Sequence, residues 1–387
     1  MACNSKNLKK VLDLNRQPLA NSFLRNKYLK EKNYALIVNC CTKCTHLQLS
    51  IAVNPKLIYR KYDYLSGTTY TYKKYMKDFY KFTLRNTKKI NYKNVLDIGC
   101  NDGSQLNVFK KNKFETFGID PAKNIYKISS KNHSIICDFF NDKTVKKFKN
   151  KFDIIISQNS FAHNPSPKKF LKNVKKIMHP DSSLFIQTSQ ANMCRNNEFD
   201  TIYHEHINFF NINSMRKLVN DSGLKLHNVI KKPIHGTSYI FVIKLYSNQN
   251  KIVNALKKEK FLNYKFYKNW GKTCLMNVKI LKNKIKKIKK KNLIIGYGAA
   301  AKANTFLNFS KIKLDYIIDD NKLKQNKFSP GSKIQIKSIN FLKNFKGNIY
   351  FIPLAWNFYK EIKKRVLKVR KNKKDKFVIF FPKFRIE

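Results

Sequence analysis

The amino-acid sequence predicts an α/β protein built on a doubly wound sheet, and three stretches carry this prediction. Residues 95–98 form an apolar run that breaks into Gly99-x-x-x-Gly103, which is typical of a buried parallel strand turning into a helix. Residues 116–120 predict a second strand that ends in an acid, Asp120. Residues 292–303 repeat the order of strand, glycine turn and alanine-rich helix nearer the C-terminus. We therefore expect two α/β regions in one chain.

The turn at 99–103 is suited to a ligand that carries a ribose. Glycine lets a ligand approach the backbone closely because it has no Cβ. An acid at the end of the second strand is placed to accept hydrogen bonds from two ribose hydroxyls. The spacing Asp97-x-Gly99-x-x-x-Gly103 differs from the Gly-x-Gly-x-x-Gly of dinucleotide-binding folds. It resembles the first motif of class I S-adenosylmethionine (SAM) methyltransferases.

Further motifs of that class follow in order. Residues 137–140 match the acid and aromatic that flank the adenine, and residues 152–156 match the fourth strand, followed by 158–160. The resemblance implies a class I SAM methyltransferase sheet. It also implies that SAM is held by six residues, Gly99, Asn101, Asp120, Asp138, Phe139 and Asn159.

Length and composition set the protein class. A chain of 387 residues with 42% hydrophobic residues is long enough for two or three domains with their own cores. No apolar run approaches the ~20 residues that span a bilayer. Residues 1–10 are polar and lack the apolar centre of a signal peptide. We expect a cytoplasmic protein without a membrane partner, in which the eight cysteines form no disulfide framework.

The net charge of +57 raises the alternative of a nucleic-acid-binding protein. Only nine of the 80 basic residues are arginine, the residue that favours phosphate and base recognition. The lysines are spread along the whole chain among many Asn, Ile, Tyr and Phe residues, as a coding bias toward AT-rich codons produces. We therefore expect no specific nucleic-acid partner.

Residues 1–74 predict an N-terminal module with strands at 34–38 and 47–49. Cys41 and Cys44 have the spacing of a zinc knuckle, in which two thiolates take adjacent tetrahedral corners. Cys3 is the third candidate ligand, but Lys6 occupies the place where its partner is expected. Two nearby side chains remain open as the fourth ligand, Cys40 and His46. A site that has lost its metal is the alternative.

Residues 75–246 predict the SAM domain, entered through a helix at 72–85. The preceding loop at 62–69 is either a linker or a lid over the substrate. A helix at 167–178 and a strand at 183–187 follow the fourth strand. His163 lies just beyond that fourth strand, and ligands of doubly wound sheets gather where strands end.

The densest group of titratable residues lies at 199–210. Tyr203, His204, Glu205 and His206 are consecutive. An imidazole titrates near neutrality, and an adjacent Tyr or Glu can fix its tautomer, so this segment is a candidate for general-base chemistry. A metal-ligating His-x-His is the alternative, without a convincing third ligand nearby.

Residues 247–387 predict a C-terminal Rossmann-like domain. It is reached through a Lys-rich helical stretch at 251–291, whose apolar residues recur on one face: Val278, Leu281, Ile285 and Ile288. The turn Gly296-x-Gly298 is followed by Ala301 where a dinucleotide site has its third glycine. An empty fold, a nucleotide-sugar site and an NAD site all remain open.

Taken together, nearly the whole chain resembles the SAM-dependent sugar C-methyltransferases, which act on nucleotide-linked 4-keto-deoxysugars. The matching motifs are Gln17-Pro18-Leu19-Ala20-Asn21, Cys41-x-x-Cys44, Asp97 to Gly103, Tyr203-x-Glu205-His206, His235-Gly236, Gly296-Tyr297-Gly298, Lys324-Gln325 and Ala355-Trp356-Asn357. The resemblance implies a zinc-binding N-terminal domain, a central SAM domain and a C-terminal domain that holds the sugar nucleotide against the central one. Lys6 and Thr237 are departures, at the zinc site and in a turn near the sugar.

The resemblance also implies the chemistry. A base removes the proton at C3 of the sugar, next to the C4 carbonyl, and the resulting enolate attacks the SAM methyl group. It assigns His206 as the base, with Tyr203 and Glu205 orienting it or assisting proton transfer, and His163 and Tyr64 as candidates to hold the enolate oxygen. The alternatives are a SAM-dependent O- or N-methyltransferase and a basic nucleic-acid-binding protein.

Overall fold

The computed structural model describes residues 1–62, 65–68, 70–234, 236–381 and 384–387. Its strands are β1 (Leu8–Gln17), β2 (Tyr34–Cys41), β3 (Leu47–Leu49), β4 (Asn94–Ile98), β5 (Glu115–Ile119), β6 (Ser134–Ile136), β7 (Phe152–Gln158), β8 (Met178–Thr188), β9 (Asn208–Phe209), β10 (Lys225–Lys232), β11 (Ser238–Lys244), β12 (Leu293–Tyr297), β13 (Tyr316–Ile318), β14 (Ile336–Lys337), β15 (Ile349–Pro353), β16 (Lys376–Ile379) and β17 (Arg385–Ile386). Its α-helices are α1 (Pro55–Tyr59), α2 (Tyr70–Asn86), α3 (Ser104–Lys111), α4 (Lys123–Ser129), α5 (Asp142–Val145), α6 (Pro167–Lys176), α7 (Ile212–Asn220), α8 (Val253–Lys257), α9 (Tyr264–Lys289), α10 (Ala301–Ser310) and α11 (Tyr359–Arg370).

The central sheet has the order β10-β11-β8-β7-β4-β5-β6. Strands β6, β5, β4, β7 and β8 run parallel, and β11 lies antiparallel to both β8 and β10. Strand β4 is buried along its whole length, as a strand with helices on both faces requires. This is the doubly wound class I SAM methyltransferase sheet that the sequence predicts.

The N-terminal sheet has the order β1-β2-β3-β9, and its last strand comes from the segment just after His206. The N-terminal module is therefore joined directly to the candidate catalytic segment. The sequence did not predict strand β1. The alternation of side chains between its two faces is interrupted twice, by irregularities between Lys10 and Leu12 and between Asp13 and Arg16.

The C-terminal sheet has the order β14-β13-β12-β15-β16-β17, parallel except for β17. It has the Rossmann-like form that the sequence predicts. One apolar core joins this domain to the N-terminal sheet, because Leu14, Val38, Phe199, Phe306 and Ile317 belong to a single buried cluster. The first and last parts of the chain thus fold against each other. The proposed boundaries at 74 and 246 stay predictions.

The Lys-rich stretch at 251–291 is two helices rather than one. Helix α8 ends at Lys257, and α9 begins after Asn263, whose side chain accepts a hydrogen bond from the Phe266 amide. Gly271 of α9 passes close to β1, because an added Cβ would lie 1.9 Å from the Val11 carbonyl oxygen.

The predicted ends of one helix and one strand differ from those in the structure. Helix α6 ends at Lys176, and β8 already begins at Met178 instead of residue 183. In the part of the chain that the structure describes, no helix combines the length and apolarity needed to cross a membrane.

Candidate active site

The turn after β4 is shaped by left-handed backbone conformations. The φ angles are +86° at Gly99, +49° at Asn101 and +75° at Gly103. Glycine adopts this region freely and asparagine tolerates it better than most residues. Helix α3 begins directly after the turn at Ser104. The sequence pattern Gly-x-Asn-x-Gly is therefore what this backbone path requires.

Asp120 ties the turn to the end of β5. Its Oδ2 accepts a hydrogen bond from the Asn101 amide at 3.0 Å, and its Oδ1 accepts one from the Ala122 amide at 2.9 Å. Burial raises the pKa of this carboxyl group, and the two amides act in the opposite direction. Each carboxylate oxygen keeps a second lone pair, so the group can still accept a ribose hydroxyl.

Asp97 is the polar group of this site that most needs a ligand. Its side chain is buried, and Oδ1 has no hydrogen-bond partner within the described residues. Burial and the nearby carboxyl groups of Asp120 and Asp102 raise its pKa well above the usual range. A cationic ligand would relieve this arrangement, and SAM carries positive charge at its amine and its sulfonium. The residues of the turn therefore fit SAM.

A segment of the chain before α2 closes over the turn. The Ser66 amide donates to Asn101 Oδ1 at 3.0 Å, and the Gly67 amide donates to Asp102 Oδ2 at 2.8 Å. These residues belong to the loop that the sequence left open as a linker or a lid. Its candidate catalytic residue Tyr64 lies outside the described residues.

The predicted adenine site gains a residue that sequence reasoning missed. The guanidinium of Arg60 lies 3.6 Å from Asp138 Oδ1 and 5.5 Å from the centre of the Phe139 ring. Asn159 follows β7 with a φ of +53°, and its Oδ1 has no partner in the described part of the chain. The spacing of Arg60 from Asp138 in sequence gave no signal for this contact.

His206 is held at both ring nitrogens. Nδ1 lies 2.8 Å from the Thr201 carbonyl oxygen, and Nε2 lies 2.9 Å from the Tyr203 hydroxyl. The Gln190 amide nitrogen is also near Nδ1, but at 3.4 Å. Because a carbonyl oxygen only accepts, the closer contact assigns the proton to Nδ1. Nε2 is then the basic nitrogen and accepts from Tyr203.

His163 stacks on His206 with ring centres 5.2 Å apart, and Tyr59 stacks on His163 at 5.5 Å. Burial lowers the pKa of His163 to about 4, so its imidazole is neutral near pH 7. Its Nε2 is buried and has no hydrogen-bond partner among the residues described. The structure thus brings two of the predicted histidines together, with an unpartnered His163 ring nitrogen beside the candidate base His206.

Glu205 faces the N-terminal module. Its carboxylate accepts hydrogen bonds from Asn21 Nδ2 at 2.8 and 3.0 Å and from the Tyr62 hydroxyl at 3.1 Å. Burial raises the pKa of Glu205 to about 7, and these two donors counteract part of that effect. Asn21 and Tyr62 are therefore parts of the site that the sequence did not single out for this role.

Comparison with known proteins identifies the chain. Family models described as "Putative zinc binding domain", "Methyltransferase domain" and "C-methyltransferase C-terminal domain" match residues 1–59, 69–229 and 233–382 in that order. The chain is a SAM-dependent methyltransferase, and its last region matches the C-terminal domain of C-methyltransferases. The C-methyltransferase NovU of Streptomyces niveus is 23% identical over 374 residues, which cover 91% of this chain and 88% of NovU.

Two other similar proteins match a smaller share of this methyltransferase. A ubiquinone biosynthesis O-methyltransferase of Coxiella burnetii is 27% identical over 106 residues, which are 26% of this chain and 45% of that protein. A SAM-dependent methyltransferase structure from Clostridium acetobutylicum has a TM-score of 0.36 at 13% identity, and covers 44% of this chain and 91% of that one.

In this methyltransferase a lysine amine lies beside the acid of the C-terminal glycine turn. Asp319 Oδ2 accepts from the Ala299 amide at 2.7 Å, and Lys324 Nζ lies 3.7 Å from the same oxygen. Lys324 also donates to the Ala299 carbonyl oxygen at 2.9 Å. The acid that would bind a ribose in a dinucleotide fold is thus engaged by the protein.

A charged cluster lies where the C-terminal domain meets the candidate catalytic segment at 199–210. Trp356 Nε1 donates to Asp200 Oδ2 at 2.7 Å, and the Lys302 amine lies 5.0 Å from the Trp356 ring centre. Lys302 Nζ is buried and has no hydrogen-bond partner in the described ranges. Burial raises the pKa of Asp200, and the charge of Lys302 lowers it.

The predicted metal ligands also come together. The sulfur atoms of Cys3, Cys41 and Cys44 all lie within 4.8 Å of one another. Cys41 and Cys44 are buried, and Cys3 is partly exposed. These three thiols can hold a metal ion.

Proposed function

We propose that this enzyme transfers the SAM methyl group to carbon C3 of a nucleotide-linked 4-keto-deoxysugar, through an enolate formed by His206. One observation carries the proposal. His206 presents a basic Nε2 to the Tyr203 hydroxyl, and the neutral His163 beside it has an unused ring nitrogen. A base next to a neutral hydrogen-bonding group is what forming and holding an enolate requires. The similarity to a C-methyltransferase along 91% of the chain supports carbon as the acceptor.

The proton transfer uses the two hydrogen bonds of His206. The C3 proton is acidic because the C4 carbonyl takes up the electron pair of the broken C–H bond. The proton passes to His206 Nε2, directly or through the Tyr203 hydroxyl at 2.9 Å. The imidazolium that forms is stabilised by the Thr201 carbonyl oxygen, 2.8 Å from Nδ1. His163 donates its free N–H to the enolate oxygen, as a neutral imidazole can.

SAM, when bound, supplies a methyl group that its sulfonium already activates. The residues proposed to hold it are Gly99, Asn101, Asp120, Asp138, Phe139 and Asn159, and Asp97 would balance its positive charge. Holding the enolate carbon in line with the methyl group supplies much of the acceleration.

The nucleotide sugar is proposed to lie between the central and C-terminal domains. Lys302 supports this position, because a buried amine without a hydrogen-bond partner in the described residues suits the negative charge of a diphosphate. The amine lies over the ring of Trp356, whose Nε1 donates a hydrogen bond to Asp200 of the candidate catalytic segment.

Deuterium exchange tests the enolate directly. The enzyme is incubated with a 4-keto-6-deoxy nucleotide sugar in D2O without SAM, and we expect exchange at C3. His206→Asn should lose both exchange and methyl transfer by about 10²–10⁴-fold, the usual contribution of a general base. SAM affinity, measured by calorimetry, should stay unchanged. His227→Asn, on the partly exposed strand β10, is the matched control.

Two results would contradict the proposal. Methyl transfer by His206→Asn at the normal rate would exclude His206 as the base. Methyl transfer to the sugar without C3 exchange would favour the O- or N-methyltransferase alternative, which needs no enolate.

A further inference from the structure

The three thiols of the N-terminal module already have the spacing of a zinc site. Cys3 Sγ lies 3.6 Å from Cys41 Sγ. A tetrahedral zinc ion with Zn–S bonds of about 2.3 Å separates its sulfur ligands by about 3.8 Å. The three sulfur atoms therefore need to move little to become three corners of one tetrahedron.

The two side chains that the sequence left open as the fourth ligand lie outside the group of three thiols, although the buried His46 Nδ1 has no hydrogen-bond partner in the described residues. Cys40 precedes Cys41 on β2, and because side chains alternate along a strand it enters a different apolar core. His46 is buried against the Phe210 ring at 4.7 Å and bonds Asn208 Oδ1 through Nε2 at 3.0 Å. In residues 1–62, all of which the structure describes, neither joins the group of three thiols.

The place of a fourth cysteine is taken by Lys6. Cys3-x-x-Lys6 repeats the spacing of Cys41-x-x-Cys44, which completes a zinc knuckle on the other side. Lys6 and Asn4 are both exposed, and Cys3 is the most accessible of the three cysteines. From this spacing we assign the remaining corner of the tetrahedron to the side of the 3–6 loop, where Asn4 and Lys6 face solvent. A charged ammonium group has no lone pair to ligate a metal.

We propose that this module binds one zinc ion through the thiolates of Cys3, Cys41 and Cys44 and leaves the fourth coordination position to an exchangeable external ligand. Water takes that position in plain buffer, and a low-molecular-weight thiol takes it when present, losing its proton to solvent. Structural zinc sites normally have four protein ligands, and an open position is a property of catalytic zinc sites. Here the open position makes the metal centre accessible to small thiols and chelators.

Cobalt spectroscopy on the full-length enzyme tests this inference, with Lys6→Cys and Lys6→Ser as a matched pair. Both changes are at an exposed side chain, so the fold should be retained, as circular dichroism will check. The wild type and Lys6→Ser should bind one Co²⁺ with thiolate charge-transfer absorption that changes when 2-mercaptoethanol is added. Lys6→Cys should gain about one third in that absorption, as three thiolates become four, and should not respond to the added thiol.

Zinc release gives a second readout that does not depend on methyl transfer. With excess 4-(2-pyridylazo)resorcinol, we expect zinc to leave the wild type and Lys6→Ser at least about tenfold faster than Lys6→Cys. Three results would overturn the inference. They are a reduced protein that binds no metal, a wild-type cobalt spectrum that already equals that of Lys6→Cys, and one metal per two chains, since a second chain would then supply the missing ligand.

Discussion

The order of strand, glycine turn and helix occurs twice in the enzyme. Among the described residues of the two copies, only the central one has a buried carboxylate oxygen without a hydrogen-bond partner, on Asp97. In both copies an Asp at the end of the next strand accepts from a turn amide. Asp120 bonds the amides of Asn101 and Ala122, and Asp319 bonds those of Ala299 and Asn321. The backbone plan is therefore shared, and the difference lies in what surrounds each acid.

Residues of the protein itself approach the Asp319 carboxylate and fill the space beside its glycine turn. Lys324 lies 3.7 Å from its carboxylate, and an added Cβ at Gly298 would lie 2.7 Å from Ala355 Cβ. The glycine there allows close packing of the chain after β15. At the central turn, by contrast, the buried Asp97 has an oxygen without a partner in the described residues. A glycine turn with an uncompensated acid suits a cationic ligand, and one with an internal lysine does not.

The helices after the two turns differ as well. Helix α10 uses its buried polar residues to hold distant backbone. Asn304 Nδ2 donates to the Ala20 carbonyl at 2.6 Å, and Thr305 Oγ1 donates to the Ile202 carbonyl at 2.9 Å. These carbonyls directly precede Asn21 and Tyr203. The second copy of the motif therefore holds the backbone next to two residues of the candidate active site.

The largest expected effect separates the two acids. Asp120→Asn should weaken SAM binding by about 100-fold, because hydrogen bonds to a charged acceptor contribute about 1.5–3 kcal/mol each. Asp319→Asn creates the same local defect at the other turn and should change the SAM Kd by less than about twofold. Calorimetry at physiological salt measures both. Equal losses would mean that the two turns act through general stability and that the comparison fails.

The next effect concerns α10. Thr305→Val removes only the hydroxyl that holds the Ile202 carbonyl, and we expect kcat to fall roughly tenfold, since small displacements of catalytic groups are costly. SAM affinity should not change. Thr83→Val is the matched control, because Thr83 is a buried threonine that donates to the Tyr80 carbonyl inside α2. A similar loss of kcat in both variants would remove the special role of α10.

The same comparison shows which features the sequence could reveal. The central turn was predictable because its strand, glycines and acid lie within 26 residues of one another and follow local rules. The contact of Asn21 with Glu205 spans 184 residues, and that of Thr305 with Ile202 spans 103, so no local pattern announces either. The C-terminal turn stayed open between three interpretations for a different reason, because no sequence pattern shows that the Lys324 amine reaches the Ala299 carbonyl oxygen and the Asp319 carboxylate.

The N-terminal module also includes a strand that is distant from it in sequence. Its fourth strand, β9, comes from residues 208–209, and its core is shared with the C-terminal domain. Periodicity identifies strands but not their partners, so the sharing of cores between distant parts of a chain is decided by tertiary packing.

The smallest expected effect is a shift in pH dependence that links α10 to Glu205. Burial raises the pKa of Glu205 to about 7, and the hydrogen bonds from Asn21 and Tyr62 to its carboxylate oppose part of that rise. If the ionised form is the active one, kcat rises with pH through this pKa. Asn21→Leu removes one donor and should raise that pKa by about one unit, which lowers kcat about fivefold at pH 7 and hardly at all at pH 9. Asn304→Leu, which releases the adjacent Ala20 carbonyl, should move the pH profile in the same direction by less.

The pH dependence of the free energy of unfolding tests the titration of Glu205 independently. The pKa of Glu205 is raised from 4.5 to about 7 in the folded protein, so the folded state binds this proton more tightly than the unfolded state does. The contribution of Glu205 to the free energy of unfolding is therefore largest below pH 4.5 and declines as the pH rises toward 7, by up to about 3 kcal/mol. Glu205→Gln cannot titrate, so its urea-unfolding free energy should lack this decline between pH 5 and 7 (about two units), and its kcat should lose the limb near pH 7. A parallel pH dependence in the wild type and Glu205→Gln would show that another group titrates there, and Asn21 would then hold the segment without tuning its acid.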